Sequence, residues 1–140
     1  MLNRVLIDAG PLIALFDKDD AYHTKVVNFI KKGTFKFLTT TAVLTEVTHM
    51  LDFHVQAQLD FLQWVLSEGV LLQDIQQEDI SRIIALTEKY RDCPMDFADA
   101  TLVIAAEKTG IRKIITLDSD FHVYRLPGKV NLERLLPIGA

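Results

Sequence analysis

Two apolar runs in this chain each end on a carboxylate, and that grammar restricts its fold more than any other feature. Val5-Leu6-Ile7 runs into Asp8, and Ile114-Ile115-Thr116-Leu117 runs into Asp118. A short apolar run bounded by breakers reads as a strand buried on both faces. Gly10 and Pro11 break the first run, and Leu12 to Phe16 then reads as a short helix. In an open α/β sheet, a residue at the carboxyl end of a central strand faces the crevice where ligands bind.

Between these runs strand and helix patterns alternate. Ala21 to Lys32 reads as an amphipathic helix with Val26, Val27, Phe29 and Ile30 facing inward, stopped by Gly33. Lys36 to Thr39 is a strand candidate. Thr40 or Thr41 caps a helix carrying Val43, Leu44, Val47, Met50 and Leu51 on one side and Glu46 within it. Val55 to Ser67 is a further helix, and Val70 to Leu72 a third strand. Gln77 to Arg91 reads as an amphipathic helix with Ile80, Ile83, Ile84 and Leu86 as its apolar side. Asp96 to Lys108 is apolar almost all round, the pattern of a buried helix, and Gly110 ends it. Val130 to Leu136 adds an edge strand or a final turn. Strands alternating with helices point to an α/β fold with a parallel sheet covered on both faces.

The 140 residues are expected to form a single domain, 1–140, with no repeat, linker or low-complexity segment. No apolar run approaches the roughly 20 residues a membrane helix needs. The first strand begins so early that no signal peptide is expected. Cys93 is the only cysteine and reads as a small buried hydrophobe, so no internal disulfide can form and the expected compartment is the cytoplasm. A net charge of −4 argues against nucleic-acid binding by bulk electrostatics. It leaves room for a nucleic-acid enzyme whose acids are gathered to hold a cation.

Each acid has a bland reading beside the functional one. Asp8 could simply cap the helix after Pro11. Asp118 and Asp120 share a turn-like Asp-Ser-Asp; Asp118, nearer the strand end, is the preferred member of the pair. Asp96 and Asp99 lie three apart at a helix start and so share a face. Capping accounts for Asp96. Asp99 precedes an otherwise apolar helix, and a buried carboxylate needs a partner or a metal. Glu46 matters only if its helix starts at the same sheet edge as Asp8. His49, one turn on, is read as a surface or packing histidine.

The segments Ile-Asp-Ala-Gly-Pro-Leu-Ile-Ala-Leu from Ile7, Thr-Glu-Val from Thr45, Met-Asp-Phe-Ala-Asp-Ala from Met95 and Ile-Thr-Leu-Asp-Ser-Asp-Phe from Ile115 together resemble the four signature segments of PIN-domain proteins. The nearest resemblance is to the VapC-type toxins of bacterial toxin–antitoxin pairs, and it spans Asp8 to Phe121. The resemblance implies a PIN-like three-layer α/β/α sandwich with a central, mainly parallel sheet. It also implies a Mg²⁺- or Mn²⁺-dependent endoribonuclease, a homodimer and a cognate antitoxin protein. Carried over by position, the metal-binding and catalytic acids would be Asp8, Glu46, Asp99 and Asp118, with Asp96 and Asp120 as further candidates.

Such a set suits a hard cation. Mg²⁺ takes oxygen ligands and keeps several waters, whereas zinc prefers histidine and cysteine. In this reading Asp8 and Asp99 bind metal directly, while Glu46 and Asp118 act through water. Lys31, Lys32, Arg112, Lys113, Arg125 and Lys129 are candidate phosphate contacts and Tyr124 a candidate base-stacking residue, with a solvated surface charge the favoured reading for most of the cations. An antitoxin segment is expected to set a basic side chain in the cleft and apolar ones along Val26, Phe29, Leu44 and Val47. Two alternatives are carried forward, a non-catalytic PIN-like interaction module and a receiver-type phospho-accepting domain.

Overall fold

In the computed structural model, which describes residues 3–93, 95–117, 125–126 and 130–136, the first apolar run lies at the centre of the sheet. Strand β1 (Asn3–Ile7) buries Val5, Leu6 and Ile7 completely. Strand β2 (Phe35–Thr39) pairs with it in parallel, Arg4 opposite Lys36 and Leu6 opposite Leu38. Strand β3 (Val70–Leu72) adds beyond β2, and β4 (Lys113–Ile115) pairs with the other side of β1. A hairpin of β5 (Arg125–Leu126) and β6 (Val130–Asn131) precedes β7 (Glu133–Arg134), which joins β4 in parallel as the expected edge strand. The order β3-β2-β1-β4-β7 makes the chain step outward from β1 on one side and return on the other. The switch point, where such sheets open their ligand crevice, falls between β1 and β4.

Helix α1 (Ala9–Phe16) begins three residues earlier than the Gly-Pro pair suggests. Pro11 falls in its first turn, where the missing N–H would have had no intrahelical partner. The remaining helices follow the sequence pattern with small shifts: α2 (His23–Lys32), α3 (Thr41–Met50), α4 (Val55–Leu66), α5 (Ile80–Lys89) after a 3₁₀ turn at Gln77–Asp79, and α6 (Phe97–Thr109). Helix α6 buries every residue from Asp99 to Ala106, as its all-round apolarity requires. It ends at Gly110, whose φ of 75° is the left-handed conformation that glycine adopts without strain. Helices α5 and α6 are clamped by the Arg82–Glu107 pair and by Lys108 on Asp79. The Gln76 backbone N–H, and then Lys108, hold the Asp79 carboxyl below its ordinary value. None of the helices among the described residues is long and apolar enough to cross a membrane.

Several apolar residues assigned inward by periodicity are exposed: Met50, Ile80, Ile84 and Phe97. Helical spacing marks a stripe; it does not say whether the stripe meets the core or solvent. Cys93 is only half-buried. Helix α4 carries a separate exposed row, Val55, Leu59, Leu62 and Leu66.

Candidate active site

The end of β1 builds the site's first member. Asp8 is tied to β4 by its backbone N–H, which donates to the Ile115 carbonyl at 3.0 Å. One carboxylate oxygen caps α1 by accepting from the Ala9 N–H at 2.8 Å, and the other accepts from the Thr116 hydroxyl at 3.0 Å. The capping reading and the functional reading of Asp8 are therefore compatible. The side chain is 7% exposed, which places its charge where only a partner or a cation makes it tolerable.

Helix α3 follows β2 from the same edge of the sheet and carries Glu46, an exposed residue in its second turn. Helix α6 begins with Asp96 as its N-cap, accepting from the Asp99 N–H at 2.8 Å. Asp99 lies in the first turn and is 8% exposed. Asp8, Glu46, Asp96 and Asp99 line one cleft of about 260 Å³, together with Ala9, Gly10 and Leu117. The condition set for Glu46 is thus met, and Asp96 both caps its helix and reaches the cleft. Asp118 and Asp120 lie outside the described residues.

Two helices start at this cleft, α1 at Ala9 and α6 at Phe97, while α3 reaches it with Glu46 in its second turn. Each amino terminus carries roughly half a positive charge, which offsets part of the repulsion among the acids. The offset is incomplete, so the cleft favours cations. The side-chain donors that line it are carboxylate oxygens, of the kind a hard divalent ion takes. Among the described residues no three His, Cys, Asp or Glu side chains stand close enough to cage an ion by themselves.

The family model for the PIN domain matches residues 5–126, which takes in the whole of this cleft. The chain is a PIN domain. The receiver-domain alternative falls with that match. Ribonuclease VapC26 of Mycobacterium tuberculosis is 26% identical over 116 residues, covering 81% of this chain and 86% of that protein. The crystal structure of VapC20 from the same organism, described as a sarcin-ricin loop cleaving toxin, shares the fold. Its TM-score is 0.77 at 20% identity, over 85% of this chain and 93% of that one.

Four of the six acids singled out in the sequence of this PIN domain therefore meet in space. Four of the candidate phosphate contacts do not join them, and nothing described places the side chain of Arg125, in β5, at the cleft. Lys31 and Lys32 end α2, and Arg112 and Lys113 lead into β4. All four stand at the amino edge of the sheet, opposite the cleft. Tyr124 and Lys129 lie outside the described residues. The groove expected along Val26, Phe29, Leu44 and Val47 is also overturned. Val26 and Val47 are fully buried in the core, and Phe29 and Leu44 pack against it. What the sequence reading missed is Thr116, whose hydroxyl reaches Asp8. Its signal was a lone polar residue inside the apolar run Ile-Ile-Thr-Leu.

Proposed function

We propose that this PIN domain is a divalent-metal-dependent endoribonuclease and the toxin of a toxin–antitoxin pair, acting as one domain, 1–140, in the cytoplasm. The supporting observation is the convergence of two buried carboxylates, Asp8 and Asp99, with Glu46 in one cleft at the sheet's switch point. The naming of VapC26 as a ribonuclease and of VapC20 as a sarcin-ricin loop cleaving toxin supports the same reading.

Asp8 and Asp99 are assigned as direct holders of Mg²⁺ or Mn²⁺. The bound ion would lower the pKa of a water and stabilise charge on the phosphate oxygens. Glu46, exposed and lining the cleft, would orient that water or take its proton. Asp118 completes the set by the family resemblance. Thr116 holds Asp8 in one orientation through its hydroxyl. The experiment is direct: purified protein should cleave RNA with Mg²⁺ or Mn²⁺ and stop in EDTA. Undiminished cleavage in EDTA would refute the metal assignment, and no cleavage with either ion would leave the interaction-module reading in its place.

A cognate antitoxin is the partner this reading requires, because a free endoribonuclease harms its own cell. Its contact belongs on the exposed row of α4, where Val55, Leu59, Leu62 and Leu66 repeat at the spacing of a helix-in-groove seam. Cells producing this protein alone should stop growing, and co-expression of the neighbouring gene product should restore growth. The double change Leu59→Glu with Leu62→Glu should abolish that rescue and leave cleavage intact. Rescue by the gene product despite both charges would move the contact elsewhere. The homodimer implied by the family resemblance belongs to the same proposal, and light scattering of the purified protein measures it.

A further inference from the structure

Among the described residues, the buried polar side chains are Asp8, Thr39, Thr40, Asp99, Thr101 and Thr116, and all of them stand at or beside the cleft end of the sheet. The rest of the core is apolar. A buried hydroxyl is costly unless bonded, so four threonines gathered beside two acids call for a reason. Two of them already have one. Thr116 holds Asp8, and Thr39 donates to the Ile7 carbonyl at 2.8 Å, one residue before Asp8.

Thr40 and Thr101 are bonded to each other. Their hydroxyl oxygens lie 2.7 Å apart, and the two residues are 61 positions apart in the chain. Proton inventory fixes the direction of this bond. Thr101 donates to the Ala98 carbonyl at 2.6 Å, so its only proton is used. Thr40 accepts from the Val43 N–H at 3.4 Å and has its own proton to give to Thr101. The result is a one-way chain from the Val43 N–H through Thr40 and Thr101 to the Ala98 carbonyl. It joins the first turn of α3 to the first turn of α6. Glu46 lies one turn beyond Val43, and Asp99 directly follows Ala98.

We propose that Thr40 and Thr101 are positioning residues for the acid cluster: their hydroxyl pair sets the separation of the helix bearing Glu46 from the helix bearing Asp99, and with it the affinity of the cleft for a divalent ion. This inference rests on the metal reading above. Capping alone explains Thr40, but it does not explain Thr101. A packing role alone would be served as well by valine, which has nearly the same shape and no hydroxyl to satisfy.

Three variants separate the roles. Thr101→Val removes the hydroxyl and keeps the shape, Thr101→Ser keeps the hydroxyl, and Ile104→Val trims a buried residue farther along the same helix. Mn²⁺ affinity is read from the electron paramagnetic resonance of the free ion, and stability from thermal unfolding without metal. Thr101→Val should weaken Mn²⁺ binding by about tenfold, the scale of lost outer-shell support in metal sites. Thr101→Ser should stay within about twofold of the parent on the same scale. Ile104→Val should lower stability and leave affinity unchanged. Parent-like affinity in Thr101→Val, or an equal loss in Ile104→Val, would overturn the proposal. Crystal structures of the parent and of Thr101→Val without metal give a second readout. The Glu46–Asp99 separation should be wider in the variant, and an unchanged separation would overturn the proposal whether or not the parent binds Mn²⁺. A parent that binds no Mn²⁺ would instead count against the metal reading itself.

Discussion

An Asp8→Asn protein is expected to fold normally and to cleave RNA at least about a hundredfold more slowly than the parent chain. The expectation follows from what the side chain does at each oxygen. Asparagine caps a helix about as well as aspartate, so the Ala9 N–H keeps its acceptor and α1 starts at the same place. The Thr116 hydroxyl, now facing an amide nitrogen, can accept where it formerly donated. The side chain keeps its shape, and a buried charge is removed, so unfolding without metal should occur at or above the parent's temperature. What disappears is a charged oxygen ligand for a hard cation. Cleavage assays in Mg²⁺ beside thermal melts in EDTA check both halves. Parent-like cleavage would remove Asp8 from the metal site. A melt lowered in step with activity would show that the residue's contribution is structural.

The paired acids of α6 should respond unequally. Asp99→Asn should cost about a hundredfold or more in cleavage rate, whereas Asp96→Asn should stay within about fivefold of the parent. Both residues line the cleft, but they differ in burial and in duty. Asp96 is exposed and its oxygen receives the Asp99 N–H, a role asparagine also fills. Asp99 is nearly sealed from solvent, in a helix whose other buried residues are apolar apart from Thr101. A metal that binds the folded state raises its melting temperature by mass action. Mn²⁺ should therefore stabilise the parent and the Asp96→Asn protein, and should leave Asp99→Asn almost unmoved. Equal loss of activity in both variants, with folding intact, would make Asp96 a ligand as well.

The parts of this arrangement that could be read from sequence are those where chemistry and period agree. Val-Leu-Ile before Asp8 reads as a buried strand, and the apolar surround of α6 made Asp99 harder to explain by its helix N-terminus alone. The order of strands and helices was legible for the same reason. Exposure was not. Met50, Ile84 and Phe97 carry the same apolarity as their buried neighbours, and only tertiary packing decides which of them meets solvent. The buried threonines were illegible in a different way. A threonine next to a strand end reads as a cap or a turn residue, and nothing local in Thr101 announces a bond to a residue 61 positions away. The candidate docking groove failed because Val26 and Val47 satisfy a helical stripe that the core itself fills.

Because every strand of the main sheet runs the same way, the molecule has two poles. Asp8, Glu46, Asp96 and Asp99 occupy one, and Arg4, Lys31, Lys32, Lys36, Arg112 and Lys113, all exposed, cluster towards the other. Those two groups are separated by the length of a strand, about 16 Å for five residues. On the proposed reading, a polyanion approaching the metal-free protein would be drawn towards the basic pole, where Glu133 stands among the cations, and repelled from the pole that gathers the cleft acids. Loading the cleft with a divalent ion weakens that bias. If the cleft takes a divalent ion as proposed, electrostatics would favour one order: ion first, nucleic acid second.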